Sequence, residues 1–122
     1  RDYVAFYDST MARFWFLNDE AKTTITQLLE QHDQGHVLSE NELKAEGVFF
    51  PDGMYGDLIF LINSNIQIVP SFMGVKQIKG MHGYSPADQS SAASISSNQA
   101  LPQGLTKIHE IYHLMRKEIG WS

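Results

Sequence analysis

Cysteine is absent from the 122-residue chain, so neither a disulfide framework nor a thiolate zinc site can hold it together. That absence leaves the compartment open, because a secreted domain can also do without Cys. Clustered cations are missing too: nine Lys and Arg stand against 14 Asp and Glu, a formal net charge of -5. Affinity for phosphate backbones comes from clustered Lys and Arg, so duplex nucleic acid is not expected as a partner. No basic run marks a membrane-surface patch. The longest apolar run, Leu58-Ile59-Phe60-Leu61-Ile62, is far too short to span a bilayer, and no membrane partner is expected. No signal-peptide pattern opens the chain, and no internal repeat runs through it. The first residue is Arg1 rather than Met, directly in strand-like sequence, which raises the expectation of a piece of a longer polypeptide.

The hydrophobic fraction is 43% and the charged fraction 19%, the balance of an ordinary globular domain. A chain of this length can bury about two-thirds of its unfolded surface. Aromatic and aliphatic residues at 3–7 and 11–17, split by the turn chemistry of Asp8-Ser9-Thr10, predict a hairpin. Asn18 or Asp19 can cap a helix over 19–31, with Ala21, Ile25, Leu28 and Leu29 as its buried stripe and Gly35 as its stop. Ser39-Glu40-Asn41-Glu42 matches a capping box and should open a short helix ending near Gly47. Residues 57–62 and 66–69 read as two more strands joined at Asn63-Ser64-Asn65. The pattern predicts an α+β class, a small antiparallel sheet with helices on one face. From Pro70 on, Gly74, Gly80, Gly83 and Pro86 punctuate a long irregular segment, and 85–99 is rich in Ser, Ala and Gln, as a mobile loop or a poorly specified strand would be. Thr106 can cap a final helix to about Ile119, with Ile108, Ile111, Tyr112, Met115 and Ile119 as its apolar stripe. The expected organisation is a small α+β subdomain over 1–70, a loop region over 71–104 and a C-terminal helix over 105–122, together one compact unit.

Three histidine constellations compete for function. His109-Glu110-Ile111-Tyr112-His113 spells H-E-x-x-H on the predicted last helix, where two imidazoles one turn apart can share a zinc and the Glu can activate water. Only three of its five positions are fixed, and a catalytic zinc needs a third protein ligand. After His113 the one ligand-type side chain is Glu118, on a different helix face. The alternative is an amphipathic helix carrying two polar histidines. His32-Asp33-Gln34-Gly35-His36 has ligand types but lies where a helix ends, with Gly35 leaving the ligands without preorganisation, so a solvated helix terminus is the better explanation. His82 stands alone in Lys79-Gly80-Met81-His82-Gly83-Tyr84. A lone His is usually structural or simply exposed, but flanking glycines let the backbone approach a ligand closely.

Four stretches taken in order carry a resemblance. They are Asp8-Ser9-Thr10-Met11-Ala12-Arg13-Phe14-Trp15-Phe16, Tyr55-Gly56-Asp57-Leu58-Ile59-Phe60-Leu61, Lys79-Gly80-Met81-His82-Gly83-Tyr84 and Ile108-His109-Glu110-Ile111-Tyr112. Their order and spacing resemble the C-terminal third of the type I phosphodiesterase and nucleotide pyrophosphatase branch of the alkaline phosphatase superfamily, over most of the chain. The resemblance implies a fragment of an alkaline phosphatase-like α/β fold. It implies a small-molecule phosphoester substrate and two divalent ions, commonly zinc, held by Asp and His. It also implies a Thr or Ser nucleophile that the metals activate. The family's glycine-flanked histidine is a metal ligand, and the matching residue is His82. The nucleophile segment and the Asp-His-Gly ligand segment have no counterpart in this sequence, which implies that the chain is inactive in isolation. The closing helix carries no metal in that family, which counts against the H-E-x-x-H reading.

Two other functions stand beside this one: a zinc peptidase built on His109, Glu110 and His113, and a non-catalytic interaction module. An unpaired sheet edge or an apolar face left uncovered would favour self-association of the piece.

Overall fold

A computed structural model describes residues 1–121 of the chain. The class is α+β: a four-stranded antiparallel sheet with three helices. The chain divides into two compact units, Arg1–Ala92 and the residues from Ala93 onward.

In the first unit the hairpin forms as its sequence predicts. Strand β1 (Tyr3–Tyr7) pairs antiparallel with β2 (Met11–Phe16), Tyr3 opposite Phe16 and Tyr7 opposite Ala12. The amide of Asp8 closes the turn on the Met11 carbonyl at 2.8 Å. Strand alternation then sends Ala12 and Phe14 to one face and Arg13 and Trp15 to the other. Strand β3 (Gly35–Val37) and strand β4 (Leu58–Ile62) complete the sheet in the order β1-β2-β4-β3. All five residues of β4 are buried, as a continuous apolar run in a central strand requires. Ala12, Phe14, Leu58, Phe60 and Ile62 form the core, and each large side chain contributes about 1.5–3 kcal/mol on full burial.

Helix α1 (Asp19–Glu30) packs on this core through Ile25 and Leu29, while Leu28 of the predicted stripe is exposed. The Asn18 side chain accepts the Ala21 amide at 2.8 Å, and Asp19 and Glu20 sit in the first turn, where carboxylates suit the helix dipole. Helix α2 (Glu40–Ala45) opens with the predicted capping box: the Glu42 carboxylate accepts the Ser39 amide at 2.8 Å, and the Ser39 hydroxyl accepts the Glu42 amide at 3.3 Å.

Two predicted features turn out differently. Gly35 does not stop α1, which ends at Glu30 with Gln31 as its C-cap; it opens β3. Glycine is required there because a Cβ would lie 2.4 Å from the Phe60 ring and 2.6 Å from the Leu61 carbonyl oxygen. Residues 66–69 do not form a strand either. Ile66 and Ile68 bury their side chains against the core, which accounts for the alternating pattern, but the backbone has no ladder partner. It has instead single bonds to separate partners: the Ile66 amide to the Asn63 carbonyl at 3.3 Å, the Ile68 amide to the Ser9 carbonyl at 2.8 Å, and the Ile66 carbonyl from the Tyr84 hydroxyl at 2.9 Å.

The second unit has α3 (Glu110–Glu118) as the one regular element among its described residues. The helix starts later than predicted, and Thr106 does not cap it with its hydroxyl. The Glu110 carboxylate caps the turn by accepting the amides of Thr106 and Lys107 at 2.8 and 2.7 Å. The stripe expected to be buried is open to solvent at Ile108, Tyr112, Met115 and Ile119. Among the described residues no helix is long and apolar enough to cross a membrane.

Candidate functional site

The irregular segment that follows β4 is held in place by isolated main-chain and side-chain bonds rather than by a ladder. At its start the Ser9 and Ser71 hydroxyls lie 3.0 Å apart, and the Phe72 amide donates to the Tyr7 carbonyl at 2.7 Å. Further on, the carboxamide of Gln67 takes the place of a strand. Its Nε2 donates to the Ile78 carbonyl at 2.7 Å, and its Oε1 accepts the Ile78 amide at 3.0 Å. Six residues later the Tyr84 ring packs against the core, and its hydroxyl donates to the Ile66 carbonyl at 2.9 Å. The Ser64 hydroxyl donates to the Asp88 carboxylate, which with Ser90 holds the Asp88 carboxyl below its ordinary range.

His82 lies between the Ile78 and Tyr84 anchors, outside any helix or strand, with its side chain exposed. Gly80 and Gly83 on either side of it have φ of 76° and 96°, which L side chains rarely adopt. Gly83 also lies against the buried Thr10: a Cβ there would be 3.1 Å from the Thr10 hydroxyl. Among the described residues no hydrogen bond, ion pair or ring contact engages the His82 imidazole. It is presented to solvent by a loop tied down on both sides.

The other two histidine clusters are engaged differently. In the H-E-x-x-H helix the carboxylate that would activate water is turned onto two backbone amides. Those amides, Lys107 first and then Thr106, hold the Glu110 carboxyl below its usual range. His109 precedes the first helical residue, and His113 stacks edge-on to Tyr112 at 5.3 Å. His113 borders a shallow depression of about 460 Å³ with Arg116, Lys117, Gly120 and Trp121. In the other cluster, His32 Nδ1 accepts the Gln34 amide at 3.3 Å and its ring meets Phe60 edge-on at 5.7 Å. His36 reaches the Glu42 carboxylate at 3.4 Å. The two histidines are thus committed to separate neighbours.

A catalytic zinc takes three protein ligands plus water. Among the described residues no group of three or more His, Asp or Glu is placed to hold a metal ion. One imidazole, His82, does not make a metal site by itself.

Sequence reasoning missed Gln67 as an anchor, since a lone Gln in an apparent strand carries no signal. It also missed the surroundings of Arg13. That guanidinium lies over the rings of Tyr55, Phe6 and Trp15, at 4.7, 4.9 and 5.8 Å from their centroids. Asp8 is 4.0 Å away, and the buried Nε has no hydrogen-bond partner among the described residues. The Trp15 indole donates to the Gly53 carbonyl at 3.0 Å, so this cluster fastens the hairpin to the turn that precedes β4. No protein-family model, curated protein or solved structure matches the chain.

Proposed function

We propose that this chain is the C-terminal part of a metal-dependent phosphoester hydrolase of the type I phosphodiesterase and nucleotide pyrophosphatase kind. In this reading His82 is one ligand of a divalent ion, zinc in that family, and the remaining ligands and the nucleophile belong to parts of the polypeptide outside this sequence. The small-molecule phosphoester is bound by the assembled protein, and the chain alone hydrolyses none. The observation that supports the reading is the state of His82. Its imidazole is exposed and unpartnered, and it is held between two positive-φ glycines on a loop anchored at residues 78 and 84. An imidazole with a free nitrogen on a loop of limited freedom suits ligation, and the second-shell acceptor that orients a metal-bound histidine would come, like the other ligands, from the rest of the polypeptide.

The test uses the intact natural polypeptide. His82→Ala is expected to lower zinc content and hydrolysis of bis-p-nitrophenyl phosphate together while circular dichroism stays unchanged. Wild-type zinc content and activity in that variant would overturn the proposal. The 122-residue chain alone, supplied with zinc, manganese or magnesium, is expected to give no turnover above its own His82→Ala control.

A further inference from the structure

We infer that Gln67 and Tyr84 are positioning residues that fix the His82 loop before any ligand binds. The role of His82 as a metal ligand rests on the reading above; the positioning itself does not. The two anchors bracket the histidine and work through different chemistry. Gln67 spends both ends of its carboxamide on the amide and carbonyl of one residue, Ile78. An extended strand would make the same pair of bonds through its backbone, so one side chain supplies a single rung of sheet where no strand exists. Tyr84 is held twice over, by its ring in the core cluster and by its hydroxyl on the Ile66 carbonyl.

Both anchors end on neighbouring residues, Ile66 and Gln67. That segment is itself fixed to the hairpin turn by the Ile68 amide on the Ser9 carbonyl, at 2.8 Å. Gly83 closes the arrangement against Thr10 of the same turn. The loop therefore forms a closed circuit on the hairpin end: turn, extended segment, Gln67, Ile78, the His82 apex, Tyr84 and back to Ile66. Fixing a residue's backbone costs about 1–2 kcal/mol of conformational entropy. An apex of a few residues that is already tied at both ends leaves less of that cost to ligand binding.

Two measurements separate the inference from the functional reading on which its metal arm depends. The first is amide hydrogen exchange by NMR on the 122-residue chain. In the wild type the Ile78 amide is protected. In Gln67→Ala it exchanges faster by about tenfold, the scale of losing two hydrogen bonds, while the β4 amides keep their protection. Gln67→Glu keeps the acceptor for the Ile78 amide and loses the donor to its carbonyl, so it falls between the two. Tyr84→Phe keeps the ring in the core, loosens the amides at 81–84 and leaves β4 unchanged. An unprotected Ile78 amide in the wild type, or equal exchange in Gln67→Ala, overturns the inference.

The second measurement is zinc affinity of the intact polypeptide by chelator competition. Gln67→Ala is expected to weaken zinc binding by roughly 10–100-fold, as loss of a ligand-orienting contact does, with kcat of the zinc-saturated protein retained. If His82→Ala leaves zinc affinity unchanged, the metal reading fails while the exchange result stands. If His82→Ala weakens zinc binding and Gln67→Ala does not, the positioning inference fails and the metal reading stands.

Discussion

The two compact units use similar apolar patterns to opposite ends. In the first, β4 has a run of five apolar residues and buries every one, because β2 and β3 flank it and α1 packs on the sheet. In the second, Tyr112 and Met115 on α3 and Ile108 and Ile119 just beyond its two ends are set at helical spacing, and all four are exposed. Periodicity identifies a face; it does not identify what covers that face. A helix of nine residues is marginal in water by propensity alone and draws most of its stability from packing. The hydrophobic stabilisation of the described chain is therefore concentrated in the first unit.

The sharpest test of that contrast is a matched pair of truncations. Phe60→Ala removes a buried ring at the centre of the core and should cost about 3–5 kcal/mol, whereas Met115→Ala should stay within about 0.5 kcal/mol. Urea denaturation followed by circular dichroism reads both, and equal effects would abolish the distinction between the units. Gly35→Ala comes next. Its methyl group must push into the Phe60 ring and the Leu61 carbonyl, an overpacking strain of about 1–3 kcal/mol seen in the same titration. A neutral result would mean that β3 can move away from β4 without loss. Ser39→Ala removes one half of the capping box and should cost about 1 kcal/mol.

The smallest effect expected is on pH dependence, and it appears in both units. Bonds from the Ser39 hydroxyl and amide, with a smaller contribution from His36, hold the Glu42 carboxyl below the ordinary glutamate value of 4.5. Glu110 is lowered in the same direction by the Lys107 and Thr106 amides. A carboxyl whose folded value is depressed stabilises the fold fully above its unfolded pKa. It loses that contribution as pH falls through the folded one. The first turns of α2 and α3 should therefore loosen only below about pH 4.5, the unfolded reference for both groups. NMR chemical shifts would show it, and Glu42→Gln should remove the transition from α2 while leaving α3 unaltered.

Much of the fold was readable because its signals were local. The hairpin, the Asn18 cap, the Ser39–Glu42 box and the buried run of β4 each depend on residues close in sequence. The misreadings came from non-local contacts. Three residues of β3 carry no period, and the reason for Gly35 lies in Phe60, far along the chain. Residues 66–69 alternate like a strand because two isoleucines are half-buried, yet the bonds that hold them come from Ser9, Ile78 and Tyr84. At the candidate site, His82 was legible as a glycine-flanked histidine. Its anchorage was not, since no local rule links Gln67 to Ile78.

The Arg13 cluster gives the first unit a built-in optical reporter. The chain has two tryptophans, and each unit holds one. Trp15 is half-buried, with its indole bonded to Gly53 and a guanidinium over its ring, while Trp121 is 66% exposed. The emission of the native chain should thus resolve into a blue-shifted component shielded from iodide and a red-shifted component that iodide quenches readily. Replacing Trp121 with Phe would leave a single fluorophore, whose wavelength follows the release of the hairpin from the Gly53 turn.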